Sequence, residues 1–129
     1  MTNRTTLTVL SVISISLVVL HVSEDIVRGF EPGGLKHIQT ILTMGAWLYA
    51  TVALAERRPK YILLLLGSLL GVAVSLAHMR GAGLVGGRVA GSSGMLLWVW
   101  TALTLGVTAS VSVVLSARGL WGVWKGRQR

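Results

Sequence analysis

The residues of this chain best able to do chemistry are three histidines and a short acidic run. His21 is followed by Glu24 and Asp25, spacings of three and four that bring an imidazole and two carboxylates onto one helix face. His37 and His78 complete the set. Imidazoles from several helices, joined by a carboxylate, suit zinc or copper(II). Two of the imidazoles could instead hold a b-type haem, with Arg28, Arg80 or Arg88 near its propionates. An imidazole titrating near neutral pH would make the same cluster a proton or small-ligand site. The plainer alternative is that histidines are tolerated at membrane ends and that Glu24 simply pairs with Arg28 at i, i+4.

Other chemistries find little support. There is no cysteine, which excludes disulfides, thiolate metal sites, iron–sulfur clusters and cysteine nucleophiles. Gly81, Gly83 and Gly86 spell G-x-G-x-x-G, but a dinucleotide fingerprint needs a preceding strand and an acid about 20 residues on. An apolar helix precedes this one, and no acid follows Glu56. A glycine-rich outer loop is expected instead. No G-x-S-x-G elbow occurs, and His37, Gln39, Thr40 and Thr43 form no nucleophile–base pattern. An enzyme is not the expected reading.

The elements that must position the histidines are apolar helices. Hydrophobic residues make up 53% of the 129 positions and charged residues 12%, with a mean hydropathy of +0.72. A water-soluble domain carries about 25% charged residues, so lipid is the expected solvent. The sequence predicts an all-α polytopic membrane protein: four transmembrane helices over about 6–29, 35–55, 61–79 and 95–117, in an up-down-up-down bundle. Each apolar run approaches the roughly 20 residues that cross the hydrocarbon. None alternates with the period of two that a barrel strand would show. The chain reads as one domain, 1–129, with a basic tail over 118–129. No cleavage site follows the first run, which reads as a retained signal anchor.

The net charge of +8 resembles a nucleic-acid signal until the charges are placed. Arg4, Arg57, Arg58, Lys60, Arg118, Lys125, Arg127 and Arg129 fall at one set of helix ends, and Arg28, Lys36, Arg80 and Arg88 at the other. The richer side is expected to be cytoplasmic, which puts both termini there. A bacterial-type inner membrane is the expected location, and nucleic acid is set aside. All three histidines then fall near the outer boundary. Trp98, Trp100, Trp121, Trp124 and Tyr61 read as interfacial anchors.

Several helix faces are lined with small or hydroxylated residues. Gly67, Gly71, Ser75 and His78 recur on one face of the third helix, including a G-x-x-x-G step that lets backbones approach. Ser11, Ser14, His21, Asp25 and Arg28 line the first, and Thr101, Thr104, Thr108 and Ser112 the fourth. Such faces pack against other helices, so a homo-oligomer or a larger membrane complex is an expected setting. Two functions lead: a non-catalytic accessory or assembly subunit, and a metal- or haem-binding protein using His21, His37 and His78 with Glu24 or Asp25. An oligomeric transporter or channel comes third; it would need polar groups through the whole span.

Overall fold

Local capping chemistry sets where the helices begin and end. The computed structural model describes residues 2–29, 34–81 and 95–126. Thr2 caps the first helix, its hydroxyl accepting from the Thr5 amide at 3.3 Å, which satisfies one of the amides a helix start leaves open. From there α1 runs Asn3–Val27, α2 Ile38–Val52, α3 Arg58–Gly81 and α4 Met95–Trp124. Gly29, at φ +72°, follows α1 in the left-handed conformation that closes many helices. Pro59 falls in the first turn of α3, where its missing N–H is no loss.

Three of these helices, over Asn3–Val27, Arg58–Met79 and Leu97–Trp124, are long and apolar enough to cross a membrane. The bounds shift from the sequence expectation by two or three residues at the first and third helices and differ more clearly at the second and fourth. The second helix is shorter than 35–55: a 3-10 turn over Gly34–His37 precedes it, and it stops at Val52. At 1.5 Å per residue, α2 spans about 22 Å, and the 3-10 turn adds about 8 Å. The fourth helix is longer than expected. Nothing between Ala117 and Trp124 breaks it, and Gly126, at φ +66°, follows it. Residues 30–33, the G-x-G-x-x-G stretch from Ala82 on, Arg88 and the last three tail residues lie outside the described residues.

Close approach of backbones builds the bundle. A side chain at Gly67 would overlap the Trp47 indole, which is 1% exposed. One at Gly71 would meet the Ala109 methyl at 3.0 Å, and one at Gly119 would overlap the Tyr61 ring. The glycine step in α3 therefore faces both α2 and α4. Around these contacts Ile15, Val18, Met44, Leu64 and Leu105 form the core. Ser11, Ser14, Ser68, Ser112 and Ser116 are fully buried beside them, while Leu20, Ile41, Leu42, Leu66 and Val107 point outward. Hydroxyls inside and large apolar side chains outside reverse the arrangement that water imposes.

Side-chain contacts define two ends. At one, Arg4 of α1 lies beside Glu56, Glu56 bonds Lys60 and Tyr61 of α3, and Arg58 stands over the Trp124 ring of α4. At the other, His21 and Asp25 of α1 meet His78 of α3 and Trp98 of α4.

Candidate metal centre

One turn of α1 separates His21 from Asp25, so both side chains point the same way, into the seam between α3 and α4. There α3 contributes His78, and α4 contributes Trp98 and Thr101. His21, Asp25 and His78 can each offer one ligand atom, and these atoms lie within 4.8 Å of one another. Asp25 Oδ2 stands 3.2 Å from His78 Nε2 and 3.7 Å from His21 Nε2. The ring centroids of His21 and His78 are 4.4 Å apart, and Trp98 packs against both, nearly parallel to His78.

The surrounding hydrogen bonds determine which atoms carry protons. Thr101 donates its hydroxyl proton to the Trp98 carbonyl at 2.9 Å. Its oxygen is thereby left to accept, and the contact it makes is with His21 Nδ1 at 3.3 Å. A neutral His21 is then protonated at Nδ1 and presents a lone pair at Nε2. That Nε2 is fully buried and has no hydrogen-bond partner among the described residues. It faces a carboxylate oxygen, which also carries only lone pairs. Two buried lone pairs facing each other at 3.7 Å are unfavourable unless a proton or a metal ion lies between or beside them.

Asp25 is held in place from its other side. The Trp98 indole N–H donates to Oδ1 at 2.6 Å, which is how a buried indole satisfies its one polar group. His21, Asp25 and Trp98 are at most 4% exposed, whereas the His78 side chain is 29% exposed. His78 is therefore the edge by which an ion could arrive from outside the bundle.

The other two side chains expected in this cluster stand apart from it. Glu24 accepts from Arg28 Nη2 at 2.6 Å and from Nε at 3.0 Å, the i, i+4 pair foreseen as the plain alternative. His37 immediately precedes α2 and lines a groove of about 280 Å³ with Val18, Val22 and Met44. Trp98 and Thr101 are the residues that sequence reasoning missed. Trp98 read as an interfacial anchor, and its neighbour Trp100, 59% exposed, fits that role. The available signal was Trp98 standing one turn before Thr101, near the same end of its apolar helix as Asp25 on the first.

The opposite end shows what a satisfied carboxylate looks like. Burial pushes the Glu56 carboxyl up, but hydrogen bonds from Lys60 and Tyr61 and the charges of Lys60 and Arg4 outweigh it. The net position is below the ordinary carboxylate value of 4.5. Lys60 Nζ donates to Oε1 at 2.8 Å, and the Tyr61 hydroxyl donates to Oε2. Every lone pair that matters there faces a proton.

No protein-family model matches the chain, and neither the curated proteins nor the solved structures include a significant match to it.

Proposed function

We propose that this chain is a four-helix integral membrane protein that holds a divalent transition-metal ion, zinc or copper(II), at His21, Asp25 and His78. The observation that carries the reading is the buried, unpartnered His21 Nε2 aimed at Asp25 Oδ2. Tetrahedral zinc with bonds of about 2.0–2.1 Å places its ligand atoms about 3.3 Å apart. The separations of 3.2 and 3.7 Å around Asp25 Oδ2 are close to that already. Three protein ligands leave a fourth position for water or a small ligand. The indole bond to Asp25 and the hydroxyl contact to His21 are the outer-shell supports that orient metal ligands elsewhere.

A haem fits these contacts less well. Its macrocycle would have to enter between rings 4.4 Å apart, both packed on Trp98. The accessory-subunit reading rests on small size, scarce catalytic groups and small-residue faces. Among those faces, Gly67, Gly71 and Gly106 already pack against Trp47, Ala109 and Ser75 of the same chain.

The up-down-up-down arrangement is supported by the contacts at the two ends, which group the starts of α1 and α3 with the end of α4. About 17 residues separate Arg4 from His21 and Tyr61 from His78, and 20 separate Trp98 from Arg118, or roughly 26–30 Å along each axis. That matches a hydrocarbon thickness of about 30 Å. The basic end is read as cytoplasmic and the metal end as outer.

Elemental analysis of protein purified in mild detergent and equilibrated with zinc and copper(II) tests the proposal. One ion per chain, lost in His21→Ala and in His78→Ala but kept in His37→Ala, is the expected result. Binding that depends on His37 and survives the other two changes would refute it.

A further inference from the structure

We propose that the opposite, basic end of the bundle binds the phosphate of an anionic phospholipid headgroup between Arg4 and Arg118. A pocket of about 90 Å³ lies there, walled by Arg4 of α1, Arg118 and Leu115 of α4, and Tyr61 of α3, with Leu7 beneath. Its size corresponds to about three waters at roughly 30 Å³ each, enough for one phosphate group.

The charge balance around the pocket calls for an anion. Arg4, Arg57, Arg58, Lys60, Arg118 and Lys125 all belong to the described segments at this end, against the single carboxylate of Glu56. Glu56 is already bonded by Lys60 at 2.8 Å and by the Tyr61 hydroxyl; Arg4 reaches it only at 4.0 Å. Arg118 makes no ion pair among the described residues. Arg4 and Arg118 thus line one cavity, Arg4 with only a distant approach to Glu56 and Arg118 with no ion pair among the described residues. Guanidinium matches phosphate oxygens through paired N–H donors.

Position favours a lipid over a free anion. Arg118 lies about 30 Å along α4 from Trp98, so when one end of the bundle is at one boundary the pocket is at the headgroup level of the other. Trp121 and Trp124, 59% and 68% exposed, stand one and two turns beyond it, as interfacial indoles do. Leu7 and Leu115 make part of the cavity lining apolar, suited to the glycerol end of a lipid. The close packing of Tyr61 on Gly119 brings α3 against α4 beside the pocket.

The test uses the full chain in mixed micelles containing equal amounts of phosphatidylglycerol and phosphatidylcholine, read by native mass spectrometry. Phosphatidylglycerol should be retained preferentially. Arg118→Gln should lower that preference about fivefold, as should Arg4→Gln, on the scale of one basic residue at an anionic surface. Arg57→Gln, outside the pocket wall, should leave it nearly unchanged. Arg118 makes no ion pair among the described residues, so its variant is expected to keep the helical content of the parent by circular dichroism. Equal retention of the two lipids, or a preference unaffected by Arg118→Gln, overturns the proposal. Displacement of phosphatidylglycerol by millimolar inorganic phosphate would make the pocket a free-anion site and also overturn the lipid assignment. Retention of neither lipid would count against the membrane-spanning reading itself.

Discussion

Glu56 and Asp25 are both carboxylates held near an end of the bundle, yet their surroundings are opposite. Glu56 is ringed by donors: an ammonium, a phenol and, farther off, a guanidinium. Asp25 has one firm donor in the Trp98 indole; His78 Nε2, at 3.2 Å, donates to it only in the tautomer protonated there, and the third neighbour, His21, turns a lone pair toward it. The first carboxylate is complete as it stands. The second belongs to a buried group with a lone pair turned toward it, the feature on which the proposed metal site rests. A buried acidic residue is thus informative through the protons around it more than through its burial.

The largest effect that separates the two ends should come from Asp25→Ala. It removes a ligand and the acceptor of the Trp98 indole, so zinc affinity measured by isothermal titration should fall by more than about 100-fold. Glu56→Ala should leave that affinity unchanged; an equal loss in both variants would erase the distinction.

Next comes Trp98→Phe, which keeps the ring and removes the N–H that orients Asp25. A loss of about 10–100-fold in metal affinity is expected, the usual range for an outer-shell partner. Trp100→Phe, on the exposed side of the same helix, should behave like the parent. Thr101→Val should act in the same direction at the lower end, about tenfold, because it frees His21 to adopt the other tautomer. Affinity equal to the parent in Thr101→Val would show that the hydroxyl does not set the tautomer.

The smallest effect belongs to the Glu56 end and concerns pH. Its carboxyl sits below the ordinary 4.5, so ionised Glu56 contributes stability above that value and loses it as pH falls through the lowered one. Thermal unfolding of the parent in detergent should therefore decline below about pH 4.5 more steeply than that of Glu56→Gln. At neutral pH the two should differ by under about 1 kcal/mol, since the carboxylate is partly exposed. Parallel pH profiles would remove Glu56 as a contributor.

Much of the architecture was legible because its signals are local. Apolar run lengths located four helices, and the His21–Asp25 spacing put two ligand groups on one face. What was not legible depends on helix rotation and register. His37 and His78 were expected at similar depth, but only His78 turns toward Asp25, since its face of α3 carries the glycines that seat α3 against α2 and α4. Trp98 was indistinguishable from Trp100 until the packing of α1 on α4 placed one indole inward and the other outward. The shorter α2 was hidden because the apolar residues around it continue through non-helical turns, where hydropathy no longer reports helix.

X-ray absorption at the zinc edge of the loaded protein tests the central claim most directly. The expected first shell holds two imidazole nitrogens and carboxylate oxygen at about 2.0–2.1 Å, falling to one imidazole in His78→Ala. A shell unchanged by His21→Ala and His78→Ala, or no bound zinc at a stoichiometric level, would contradict it.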